Sequence, residues 1–184
     1  MPILAAEPSA YPENLLDELA VTDLERRWWV VYTHARQEKA LARQLHALGV
    51  PFYLPLIPKV SIVSGRRVKS LLPLFSSYVF VFGDDDERIQ TCSTKRVAHL
   101  FSPSNMHGIT RDLRNVRSLI DSGAPLTVEA RLQPGQRVRI KHGALLNVEG
   151  VIVSRRGGDR LVVNVDFLQQ GVSILIDDFQ LEPV

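Results

Sequence analysis

The 184-residue chain predicts an α+β domain, one antiparallel sheet with packed helices, followed by a small all-β domain. Three observations carry this. Up to about residue 122, β-rich runs alternate with helical patterns in the order strand, helix, strand, strand, short helix, strand, helix. Residues 138–176 hold twelve Val and Ile residues, a density that suits strands because β-branched side chains are stiff and pack well on a pleated surface. Between the two lies 123–133, bounded by Gly123 and Pro134, which reads as a linker. The expected division is an extension at 1–25, an α+β domain at 26–122, the linker at 123–133 and a β domain at 134–184.

The elements follow in order. Residues 1–13 hold three prolines and no periodic pattern, which reads as a loose tail. Residues 14–24 suit a short helix with Leu15, Leu16 and Leu19 on one side. The run Trp28-Trp29-Val30-Val31-Tyr32-Thr33 is β-rich. Residues 36–48 carry the clearest helical pattern. Leu41, Leu45 and Leu48 fall within about 60° of one another, and Arg36, Lys39, Arg43 and His46 within about 80° on the opposite side. Gly49 suits the left-handed residue that ends a helix. Residues 51–56 read as an edge strand interrupted by Pro55 and Pro58, and 61–69 as a basic hairpin turning at Ser64-Gly65. Residues 74–82 form an aromatic-rich strand. Asp84, Asp85 and Asp86 precede a short helix at 87–92, where acids favour the positive end. Residues 97–101 are a further strand, and 110–120 a helix with Leu113, Val116 and Ile120 inward.

Composition sets the class. Hydrophobic content of 45% and charged content of 23% are ordinary globular values. No run approaches the ~20 apolar residues of a membrane span, and no basic segment with an apolar core marks a signal peptide. The single cysteine, Cys92, excludes an internal disulfide and any multi-cysteine metal site. A cytoplasmic protein is expected. The net charge of +2 hides an asymmetry. Residues 1–25 carry six acids (Glu7, Glu13, Asp17, Glu18, Asp23, Glu25) and no Lys or Arg, 26–132 carry an excess of +8, and 133–184 are neutral. A basic middle region implies a polyanionic partner or a solubilising surface. The acidic extension lies over the basic helix and competes with that partner, or is a disordered solubilising tail.

The most informative stretch is 134–153. Val138 and Ile140 alternate with Arg137, Arg139 and Lys141, as in a half-buried strand. Gly143 then breaks the pattern, and Gly150 opens Val151-Ile152-Val153. Glycine at those points suits a turn and a bend where a small barrel folds back on itself. Gly157-Gly158-Asp159 between two β-branched runs reads as a hairpin turn. The spacing of 134–153 resembles the KOW motif of small SH3-like β-barrels. Three blocks upstream add to it: Trp28-Trp29-Val30-Val31-Tyr32 followed by a helix with Glu38 and Leu45, Leu74-Phe75-Ser76-Ser77-Tyr78-Val79-Phe80-Val81, and Arg96-Val97-Ala98-His99-Leu100-Phe101. In this order, before a KOW motif, they resemble the NusG family of transcription elongation and antitermination factors. The resemblance covers about residues 26–184. Ser76-Ser77 stands where the family has Pro-Gly. The Pro73-Leu74-Phe75 block with Tyr78, and the basic Gly65-Arg66-Arg67 turn, look more like the specialised RfaH-like branch.

The resemblance implies a non-catalytic factor whose N-terminal domain binds the clamp helices of RNA polymerase, suppressing pausing or termination, and whose KOW barrel recruits a second partner. The polymerase pocket would include Tyr32, Phe75, Tyr78, Phe80 and Val116, each with a competing reading as core. Arg36, Lys39, Arg43, His46 and Arg96 would face upstream or non-template DNA through salt-dependent phosphate contacts. Gln90-Thr91-Cys92 matches the segment that touches the opposite side of the polymerase cleft. Leu145, Leu146, Phe167 and Leu168 would meet the barrel's partner, termination factor Rho or a ribosomal protein. In the RfaH-like branch the last domain also forms a helical hairpin. Here the β-branched content with Gly150, Gly157, Gly158 and Gly171 penalises helix, by up to ~1 kcal/mol for each glycine, so a stable barrel is expected.

Enzyme readings lack support in the residues. The chain has no Gly-rich phosphate loop, His-Glu-x-x-His or Gly-x-Ser-x-Gly, and its five histidines lack metal-ligand spacing. Asp84–Asp86 and Asp177-Asp178 read as solvated acidic runs. No cofactor, no metal and a monomer are expected. The alternative is a ribosome- or RNA-binding KOW protein without polymerase contact.

Overall fold

The computed structural model describes residues 7–18, 25–129, 135–155, 158–176 and 181–184. Its architecture is mixed, with antiparallel sheets and few helices. The chain divides into two compact units, one ending at Met106 and the other starting at His107.

The first unit contains β1 (Ala10–Tyr11), α1 (Leu15–Glu18), β2 (Arg27–Thr33), α2 (Glu38–Leu48), β3 (Phe52–Tyr53), β4 (Leu56–Val63), β5 (Arg66–Pro73), β6 (Tyr78–Gly83), α3 (Asp85–Ser93) and β7 (Val97–Phe101). Five strands form one sheet in the order β1-β3-β6-β2-β7. β2 is apolar along its middle and pairs on both sides, with β6 and β7. Its alternation divides the sheet's faces. Trp29 and Val31 join Val79, Val81 and Phe52 in a core closed by Leu41, Ala42 and Leu45 of α2. Trp28 and Val30 lie on the other face, in register with Phe82 and Phe80, and are buried. α2 ends where Gly49 takes φ +72°, its N–H donating to the His46 carbonyl. α3 opens with a capping box: Asp84 accepts from the Glu87 N–H at 2.9 Å and the Glu87 carboxylate accepts from the Asp84 N–H at 2.9 Å, satisfying two helix-end donors.

α4 (Met106–Asp121) begins at the last residue of the first unit. The second unit continues with β8 (Thr127–Glu129), β9 (Gln136–Ile140), β10 (Glu149–Arg155), β11 (Gly158–Val165), β12 (Gln170–Leu175) and β13 (Leu181–Pro183). These form a six-stranded antiparallel sheet, ordered β13-β9-β10-β11-β12-β8. Val138, Ile140, Leu161, Val163, Val172 and Ile174 are among its buried residues.

Several sequence expectations are corrected. The tail at 1–13 is not loose throughout: β1 pairs with β3 through Ala10↔Tyr53 and Tyr11↔Phe52. Two-residue pairing has no signature of its own and needs the partner edge to be visible. β3 is therefore not an edge, and the run at 51–56 splits at Leu54-Pro55. The basic hairpin is longer than 61–69, since β4 and β5 pair from Leu56↔Pro73 to Val63↔Arg66. The helix expected at 14–24 covers 15–18; residues 19–24, with Leu19, lie outside the described residues. α4 starts four residues early, and Leu119, not Ile120, is its fully buried residue near the end. The linker at 123–133 contains β8, which pairs with β12; 130–133 lie outside the described residues, as do Gly157 and Asp177-Asp178. Among the described residues, no group of three or more His, Cys, Asp or Glu could hold a metal ion, and no helix is long and apolar enough to cross a membrane.

Candidate functional site

An exposed aromatic strip crosses three strands of the first sheet. Tyr32 of β2 lies opposite both Tyr78 of β6 and His99 of β7. The Tyr32 and Tyr78 rings meet edge-on at 5.2 Å, Tyr32 and His99 are 6.4 Å apart, and His99 and Phe101 6.2 Å apart. Tyr32 is 38% exposed and Phe101 43%. Tyr78 is half-buried. Burial, with the neighbouring Tyr32 phenol, pushes the Tyr78 phenol above its ordinary value, so it stays a neutral donor at physiological pH. Of the other aromatic candidates, Phe75 and Phe80 are buried against each other with ring centroids 6.5 Å apart. Val116 is fully buried on α4. A strand places side chains on alternate faces, so His99 and Phe101 share a side, but only the β2–β7 register shows which one.

The turn before β6 aims the strip. Ser77 sits at φ +66°, the left-handed region that suits glycine. Its N–H donates to the buried Glu38 carboxylate at 2.7 Å, and its carbonyl accepts from the Thr33 N–H at 2.8 Å. The serine that departs from Pro-Gly thus takes up the glycine-like conformation, held from both sides.

The cationic face is built on α2. Lys39, Arg43 and His46 fall on consecutive turns of the helix. Arg36 does not belong to the helix; it precedes it at φ +61°. Arg96 reaches across from the start of β7, donating through Nε to Gln44 Oε1 at 2.6 Å and through Nη1 to Gln37. Arg43 pairs with Glu7, and the Tyr11 ring packs edge-on against His46 at 4.9 Å. In α3, Gln90 and Cys92 are exposed while Thr91 is buried, its hydroxyl donating to the Glu87 carbonyl.

In the second unit, Leu146 and Phe167 are exposed. Leu146 lies in the turn before Asn147, and Phe167 in a short 3-10 turn, Asp166–Leu168. Leu145 and Leu168 are buried, because side chains adjacent in a tight turn point to opposite sides. A cavity of about 140 Å³ is lined by Asp112, Asn115, Glu149, Gly150 and Asn164, among others. Burial pushes the Asp112 carboxyl above the usual aspartate range, and the Asp166 charge adds to this. The Asp166 N–H, donated at 3.2 Å, and Arg111 pull the other way.

Residues 26–132, more than half of the chain, match the family model described as NusG, transcription termination factor nusG. No curated protein is similar enough in sequence to count as a match.

Proposed function

The chain belongs to the NusG family, and from that premise we propose that it binds the clamp helices of RNA polymerase through the aromatic strip, touches nearby DNA through the α2 cations, and recruits a second partner through its β domain. Family membership makes it a transcription elongation or termination factor.

The observation that carries the proposal is the strip Tyr78-Tyr32-His99-Phe101. Aromatic side chains held rigidly on a sheet bury large area at low entropic cost, and tyrosine keeps a polar end for hydrogen bonding. Phe75 and Phe80 support the strip as its packed base rather than as contacts. The polyanion-binding surface comprises Lys39, Arg43, His46 and Arg96, with Arg36 beside them. Guanidinium and ammonium groups bind phosphates with little regard to sequence. The second unit is read as a KOW barrel, with Leu146 and Phe167 as the residues offered to Rho or a ribosomal protein. The Gly65-Arg66-Arg67 turn and the Pro73-Leu74-Phe75 block support an RfaH-like specialisation.

Immobilised full-length protein is expected to retain core RNA polymerase. Tyr78→Ala is expected to weaken retention by at least about thirtyfold, the loss of an interface hot spot worth ~2 kcal/mol. Equal retention by the variant sinks the assignment of the strip. Failure of the wild type to bind redirects the search to ribosomal and RNA partners.

A further inference from the structure

We propose that segment 7–18 is a tethered strap that occupies part of the cationic face of α2 and competes with the polyanion that face recruits. The proposal rests on the reading of α2 as a nucleic-acid surface.

The strap is held to the domain at its centre and at its far end. At its centre β1 extends the sheet beyond β3, and the Leu54 N–H donates to the Ser9 carbonyl at 2.6 Å. At its far end Leu15 and Leu16 are buried, so the segment stays attached when its near end lifts. From its near half it presents two side chains to the helix. Glu7 neutralises Arg43, and Tyr11 covers an edge of His46. Arg43 and His46 are one turn apart on the same side of α2, so the strap masks a continuous part of the stripe rather than a stray residue.

The seat of the strap is made to be left. Glu7 Oε2 is buried without a hydrogen-bond partner. A desolvated carboxylate oxygen of this kind is costly, and lifting the segment returns it to water. The Arg43 side chain remains 57% exposed, and an ion pair in that setting is weak and screened by salt. A strand of two residues adds little hold. Tethering nevertheless gives Glu7 a high effective concentration at Arg43. A weak contact therefore suffices to lower the affinity for phosphates arriving singly, while a backbone positioned against the whole stripe displaces it. The strap thus discriminates against stray nucleic acid.

The test uses the full chain and a random-sequence DNA duplex, followed by fluorescence anisotropy over a salt series. Glu7→Gln is expected to tighten binding about two- to fivefold at low salt, the worth of a surface ion pair. It is also expected to steepen the slope of log affinity against log salt, because the ion pair that the duplex must break in the wild type is itself strongest at low salt. In an Arg43→Ala background the same change is expected to have no effect. A merely structural role for Glu7 would not move the salt slope. Wild-type affinity and slope in Glu7→Gln, with Lys39→Ala still weakening binding, overturn the strap while leaving the α2 surface intact. If Lys39→Ala and Arg43→Ala both bind DNA as the wild type does, the α2 reading falls and takes the strap with it.

Discussion

Ser77 shows how one residue fixes the presentation of the aromatic strip. An L-residue in the left-handed region carries a steric cost of about 1–2 kcal/mol that glycine avoids; glycine in turn loses more entropy on folding. The net expectation for Ser77→Gly is a gain of about 0.5–1 kcal/mol in stability, read as a raised midpoint in urea at unchanged slope. Polymerase retention should not change, because the Ser77 N–H to Glu38 bond survives the substitution. Asp112 is the second instructive residue. Its folded pKa is raised, so its contribution to stability is fully present below the unfolded pKa and is lost as pH rises through the folded one. At neutral pH a buried charge therefore weighs against the fold, and the Asp166 N–H only partly compensates. Asp112→Asn keeps an acceptor for that N–H without the charge. The variant is expected to be at least as stable as wild type at pH 7, and the gap in melting temperature to close as pH falls toward 4. A gap that widens in acid reverses the sign and refutes the account. Ser76-Ser77 was visible in the sequence as a departure from Pro-Gly, but the torsion was not. What holds it is Glu38, 39 residues away, and no local pattern records that contact.

At the scale of elements, legibility tracked periodicity. α2 announced itself through Leu41 and Leu45 and through Gly49. β2 and β6 did so through runs of β-branched and aromatic residues, which need no partner to be recognised. What the sequence hid were relations between elements. β7 alternates in His99-Leu100-Phe101, but a strand's alternation does not say which face is covered. The pairing of Tyr32 with both Tyr78 and His99 assembles the strip, and it exists only in the register of three strands. Arg96 illustrates the same limit. Its charge was legible, but its fixed position depends on Gln37 and Gln44 of α2, residues with no reason to stand out. Conversely, a helical wheel extended to Arg36 overreached, because the positive φ at that residue lies outside the helix. The hairpin β4–β5 was underestimated for a different reason. Its strands expose both faces, with Val60, Ile62 and Val68 all accessible, so neither shows the clean alternation that burial on one side imposes.

At the scale of the whole molecule, the question is whether the last domain has one secondary structure or two. The twelve β-branched residues argue for strands, yet propensity alone is a weak prior. Gly150 supplies a sharper argument. It pairs with Val138 on one side of β10, and a Cβ added to it would stand 2.6 Å from the Val162 carbonyl oxygen on the other. That atom is backbone in a paired strand and cannot swing aside. In the sheet, Gly150→Ala therefore forces the β10 and β11 backbones apart, at a cost of about 1–3 kcal/mol, typical of overpacking. In a helix the same substitution would act oppositely, because alanine favours helix over glycine by ~1 kcal/mol. The sign of the change thus reports the structure in which Gly150 folds. Expected is a destabilised second unit, seen as faster hydrogen exchange at the amides of Leu161–Val165 in the full-length variant, with no gain in helical signal by far-UV circular dichroism. A variant more stable than wild type and richer in helix would mean that these residues also populate a helical state, and that β-branching and glycine content do not suffice to exclude it.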